Sequence, residues 1–137
     1  MKKKFLPLII LANLGVVLCV IGFLVSQNQA RVLTDAVSHG LLACYDAATP
    51  AKEGVISSDR IREVIRADLD APAEKTHLLP SFVNANDVYF ANHAVAKGSD
   101  EIVCAVRVGK ARYCAVKGNR ASVVLDQSGM DAWAHGQ

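Results

Sequence analysis

No charged side chain interrupts the run from Phe5 to Val25, no acid stands between Glu101 and Asp126, and no recognisable motif of metal or nucleophile chemistry occurs in the 137 residues. Each absence excludes something. Cys-x-x-Cys is missing, and His39, His77, His93 and His135 lie 38, 16 and 42 residues apart, without the paired spacing of a zinc site. There is no Gly-x-Ser-x-Gly, no phosphate-binding glycine loop and no paired-carboxylate motif. Cys44 and His39 are five residues apart, and residues at that distance do not share a helix face, so a Cys–His pair finds no support. The sequence names no catalytic residue, no metal ligand and no cofactor, and the expectation is a non-enzymatic protein. Repeats and low-complexity tracts are also missing, which sets aside solenoids and long linkers.

What is present begins with the uncharged run itself. Phe5 to Val25 is 21 residues long; at ~1.5 Å of rise per residue a helix of that length covers roughly 30 Å, the hydrocarbon thickness of a bilayer. Lys2, Lys3 and Lys4 stand directly before it and orient such a helix with its N-terminus in the cytoplasm. A cleaved signal peptide has a shorter apolar core, roughly 7 to 15 residues, ending at a small-x-small site. Here the flank reads Ser26-Gln27-Asn28-Gln29-Ala30, which puts Asn28 or Leu24 where a small residue is needed. Cys19 lies in a faint lipoprotein box, but Leu18 is too bulky for one and the apolar run continues past it. The expectation is an uncleaved signal-anchor in an inner or plasma membrane. Residues 1–30 are the basic leader and transmembrane anchor, and 31–137 form one extracytoplasmic domain.

Setting the three lysines aside from the fifteen basic residues leaves twelve against thirteen acidic ones. The exported part is thus near neutral, and no global argument for nucleic acid as a partner survives. Its 107 residues suffice for one small domain with a modest core. Apolar or small residues at Leu33, Val37, Gly40, Leu41, Cys44 and Ala47 recur at helical spacing, extending the first helix to about Ala48. Gly40 on that stripe permits close approach of another element. Thr49-Pro50 ends the helix and Glu53-Gly54 makes a turn. Ser57 or Ser58 caps a short second helix with Ile61, Val64, Ile65 and Leu69 inward and Arg60, Arg62, Glu63, Arg66 and Asp68 toward water. Asp70 to Pro80 reads as a loop.

The remainder alternates as strands: Asp87–Ala96, Glu101–Val108, Arg112–Lys117 and Arg120–Asp126. Taking Gly118-Asn119 as a two-residue loop sets Val116 against Ala121, Cys114 against Val123 and Arg112 against Leu125. One face then carries Ile102, Cys104, Val106, Cys114, Val116, Ala121, Val123 and Leu125, and the other Arg107, Tyr113, Lys117, Arg120 and Ser122. The fold class is α+β: a long helix, half transmembrane and half exported, a short second helix, and an antiparallel four-strand meander packed on the exported half of the first helix.

Two groups are candidate sites. Cys44, Cys104 and Cys114 all fall on inward positions, and a disulfide is permitted outside the cytoplasm. A bridge from Cys44 to Cys104 or Cys114 closes a loop of 60 or 70 residues, worth roughly 4 kcal/mol in the chain-entropy model. A Cys104–Cys114 bridge within the hairpin closes a short loop and stabilises less, and the alternative to any bridge is three buried free thiols filling small apolar places. Arg107, Lys117 and Arg120, with Tyr113 among them, form a basic face suited to an anionic partner, or else a charged edge that blocks strand pairing.

The layout of a basic leader, a half-transmembrane helix and an antiparallel sheet resembles type IV pilins and pseudopilins. Those families carry Gly or Ala before the mature Phe and Glu at the fifth mature position. Lys4 and Ile9 stand at those places here, so the resemblance is one of layout. Two functional readings follow: a non-enzymatic assembly or binding component of a cell-envelope complex, with membrane lipid and other envelope proteins or copies of itself as partners, and a pilin-like filament subunit. An envelope enzyme using Cys44 or a histidine is a third.

Overall fold

The computed structural model describes residues 2–49 and 54–136, with side chains from Phe5 onward. Pro50, Glu53 and the side chains of Lys2, Lys3 and Lys4, which carry the expected turn and the expected topology signal, lie outside the described residues. The first helix, α1 (Lys2–Ala48), holds Pro7 near its start, where a missing N–H is least costly. Two compact units divide the chain, Met1–Val32 and Leu33–Gln137. In the first, every side chain from Phe5 to Gln29 is exposed, and this helix is long and apolar enough to cross a membrane.

The second unit has its own core. Val37, Leu41, Cys44, Tyr45 and Ala48 of α1 are buried at helical spacing. Leu33 and Ala47, expected on the same stripe, are exposed: Leu33 stands before the first buried residue of the stripe, Val37, and in the last turn the stripe passes from Ala47 to Tyr45 and Ala48. Strand β1 (Val55–Ile56) leads to α2 (Ser58–Asp70), whose Ile61 and Ile65 are fully buried while Val64 and Leu69 are partly so. Ser57 occupies the cap position without a side-chain cap bond, and Ser58 Oγ instead donates to the His93 carbonyl at 3.1 Å.

Asp68 departs from expectation. Its side chain is only 7 % exposed, and its carboxylate accepts the backbone N–H groups of Leu78 (2.6 Å) and Leu79 (2.9 Å). The irregular stretch after α2 has no ladder to satisfy its amides, and an inward carboxylate does so. This anchors the loop on Gly40 of α1: a Cβ built there lies 2.6 Å from the Leu78 carbonyl oxygen and 2.9 Å from Leu79 Cδ2. Gly40 permits the close approach that its position on the stripe suggests.

After a 3₁₀ turn at Ala85–Asp87 come β2 (Val88–Phe90), β3 (Val95–Ala96), β4 (Ile102–Gly109), β5 (Arg112–Lys117) and β6 (Ser122–Asp126). The order β2-β4-β5-β6 is the expected antiparallel meander, and β1 and β3 pair in a separate two-stranded sheet. The stretch Asp87–Ala96, expected as one strand, therefore divides between two sheets. The β5–β6 register also differs. Val116 pairs with Ser122, Cys114 with Val124 and Tyr113 with Leu125, one residue from the two-residue-loop register. The Arg120 N–H closes a turn on the Lys117 carbonyl and Arg120 itself is left-handed (φ 70), so the loop holds Gly118, Asn119 and Arg120 before Lys117 meets Ala121.

A shift of one residue exchanges faces. Cys104, Val106, Cys114 and Val116 join the α1 and α2 residues in one core cluster, while Val123 and Leu125 pass to the other face with Ala105, Tyr113 and Ala115. That face is not open to solvent. A third helix, α3 (Gln127–His135), begins where the Asp126 carboxylate accepts the Gly129 N–H at 2.7 Å, and sets Met130 and Trp133 against the sheet. Residues Gln127–His135 are thus the cover of the second layer.

Candidate functional site

The three cysteines of the second unit, Cys44, Cys104 and Cys114, meet in one core cluster, each fully buried. All are free thiols; the bridge expected from Cys44 to Cys104 or Cys114 is not formed. Each fills a small apolar place, and the Cys114 thiol finds an acceptor in the Thr34 carbonyl at 3.5 Å. Burial pushes the Cys44 thiol up to about 12, and nearby Asp68 acts in the same direction. Burial raises Cys104 further, with a smaller contribution from Cys44. Cys114 is raised by burial as well, opposed by a hydrogen bond with Ser38 and the charge of Arg112. Nucleophilic chemistry uses the thiolate, and these environments disfavour it strongly. Titration of the unfolded, unreduced full chain is expected to find four thiols, Cys19 included. Finding two would restore the bridge.

The basic face does not assemble. Tyr113 is buried beneath α3, its ring meeting Tyr89 edge-on at 6.1 Å and its hydroxyl donating to Gln127 Oε1 at 3.0 Å. Lys117 Nζ lies 3.6 Å from Asp100. Arg120 forms a two-pronged pair with Asp46, both contacts 2.8 Å. Arg107, at the other end of the hairpin, donates to the carbonyls of Gly109 and Lys110, each at 3.1 Å. The four residues proposed from sequence are thus spread over a covered face and two opposite ends.

At the Lys117–Arg120 end an open cleft of about 390 Å³ lies between the last turn of the α1 stripe and the β5–β6 loop, lined by Tyr45, Asp46, Thr49, Lys97, Asn119 and Arg120 among others. Several of its polar groups engage one another: Tyr45 donates to the Gly118 carbonyl at 2.7 Å, Thr49 Oγ1 to the Tyr45 carbonyl at 2.6 Å, and Arg120 to Asp46. This cleft works as a clamp joining α1 to the loop. The hydrogen bond from Arg120 holds the Asp46 carboxyl below its usual 3.8. A carboxylate depressed on folding adds stability above that usual value and loses it as pH falls through the lower folded value. Asp46→Asn should therefore flatten the acid limb of the stability profile below about pH 4, modestly, since both side chains are half exposed. An unchanged acid limb would remove the pair from the account.

The histidines do not converge. His77 faces the Asp68 and Pro72 carbonyls, His93 meets Asn92 and Glu101, and His39 and His135 are exposed on α1 and α3. Among the described residues no group of three or more His, Cys, Asp or Glu is placed to hold a metal ion. The pieces sequence reasoning missed are Asp68 and Asp46, whose only sequence signal was a position on a helix face. No family model matches the chain, and neither curated proteins nor solved structures give a match.

Proposed function

We propose that the protein is a single-pass membrane protein with its N-terminus in the cytoplasm and residues 31–137 outside, serving as a non-enzymatic assembly or binding component of a cell-envelope complex. One observation carries this reading: an uncharged 21-residue run sits in a helix whose side chains are all exposed from Phe5 to Gln29, next to a unit that has its own buried core. Exposed Leu, Ile and Phe in such number need an apolar surround, and a bilayer supplies it. Burial of Cys44, Cys104 and Cys114 supports the non-enzymatic reading, because it withdraws the nucleophile the sequence offered.

A pilin-like filament subunit is the second reading, supported by the sheet packed on the Val37–Ala48 stripe. Mass spectrometry of the protein extracted from membranes separates the two. The anchor reading expects resistance to alkaline extraction and a chain that keeps Lys2 to Lys4. A mature chain beginning near Phe5 favours the filament subunit, and release by alkali overturns both.

A further inference from the structure

The β5 strand runs alongside α1, and three contacts fix which end is which. Cys114 Sγ donates to the Thr34 carbonyl, Tyr45 to the Gly118 carbonyl, and Arg120 to Asp46. The β5–β6 loop is therefore at the end of the unit where α1 finishes. The β4–β5 turn, Gly109 to Arg112, is at the end where the chain enters at Leu33, since Cys114 and its partner Val106 already lie level with Thr34.

The two ends differ in how their cations are held. At the far end Lys117 and Arg120 are each paired with a carboxylate. At the entry end Arg107, Lys110 and Arg112 are exposed, and among the described residues none of the three has a carboxylate within ion-pair distance. Asp126 stands opposite Arg112 in the ladder, but its carboxylate caps α3 through Gly129. Asp35 is the other acid close to Thr34 in the chain.

We propose that the β4–β5 turn, through Arg107, Lys110 and Arg112, docks on anionic lipid headgroups of the membrane that holds the apolar run. The proposal rests on the anchor reading. Leu33 follows Val25 by eight residues, and even fully extended such a tether reaches no more than roughly 30 Å. The entry end is thereby confined near the bilayer surface at high effective concentration, whatever the unit's orientation. A negatively charged leaflet attracts basic side chains within a Debye length of about 8 Å, and each contributes about a fivefold factor in surface occupancy. Headgroups are the anion that the tether brings to these three cations; a protein partner has no such argument.

The test uses the full chain in nanodiscs of phosphatidylcholine alone or mixed with phosphatidylglycerol, with backbone amide exchange followed at Gly109–Arg112. Docking predicts exchange slowed severalfold in the anionic discs at low salt. The protection should vanish at high salt and in the Lys110→Gln/Arg112→Gln variant, while α2 exchanges alike throughout. Equal exchange of the wild-type turn in the two lipid mixtures overturns the docking, and that comparison stands even if the variant misfolds. Chain that enters the neutral discs with no lipid-dependent protection leaves the anchor standing and the docking refuted. Failure to enter phosphatidylcholine discs at all refutes the anchor and the docking with it.

Discussion

Asp68→Ala is expected to be the most damaging single truncation in the Leu33–Gln137 unit, costing about 3 kcal/mol. The carboxylate is almost fully enclosed and accepts two backbone N–H groups, those of Leu78 and Leu79. Charge-assisted bonds of this kind are short and strong, and a buried amide left without a partner costs roughly 1–3 kcal/mol. Leu79 is itself only 3 % exposed, so water does not easily replace the lost acceptor. For a unit of this size such a loss corresponds to a fall in Tm of about 10–20 °C. Urea unfolding of the full chain in micelles, followed by Trp133 fluorescence, reads it. Asp59→Ala is the control: its side chain is 88 % exposed and touches Arg62 only at 4.0 Å, so a change within about 0.5 kcal/mol is expected. Equal effects of the two substitutions would show that the Asp68 contacts do not hold the loop.

Gly40→Ala is expected to destabilise as well, although alanine is the better helix former. Propensity alone favours alanine by ~1 kcal/mol. Against this, the new methyl would lie 2.6 Å from the Leu78 carbonyl oxygen, 2.9 Å from Leu79 Cδ2 and 3.1 Å from Leu79 Cα. Two of those three atoms are backbone, and Asp68 pins that backbone from the other side, so it cannot simply retreat. Overpacking of this kind costs about 1–3 kcal/mol, and the larger cost wins. A gain in stability would mean that the loop yields freely. Because both substitutions act on the same Leu78–Leu79 backbone, Asp68→Ala should relieve part of the Gly40→Ala cost, and the double variant should fall short of the sum of the single effects.

The apolar run, the α1 and α2 stripes and the meander were legible because each rests on side-chain periodicity, which burial enforces directly. What was not legible depends on single backbone decisions. Gly118-Asn119 has the composition of a two-residue hairpin turn, yet Arg120 takes the left-handed conformation and lengthens the loop by one. Arginine gives no composition signal for that role. The single added residue moved Val123 and Leu125 to the second face, and only then does α3 have a surface to cover. With nine residues and Gly129 inside it, α3 is too short and too polar to announce itself. The basic face is broken up for the same reason: α3 covers Tyr113, and the strand pattern carries no sign of that cover. Asp68 reads as one of several solvated charges on α2, because helix spacing tells which side a residue is on and not which loop will need its oxygens.

Protease digestion of spheroplasts, cells freed of wall and of any outer membrane, making the full chain tests the central claim most directly. The account predicts that added protease removes the unit beginning at Leu33 without lysis, leaving a membrane-held fragment that contains Phe5 to Val25 and still carries Lys2, Lys3 and Lys4. A chain that becomes digestible only after the membrane is opened, or one recovered wholly in the soluble fraction, would contradict it.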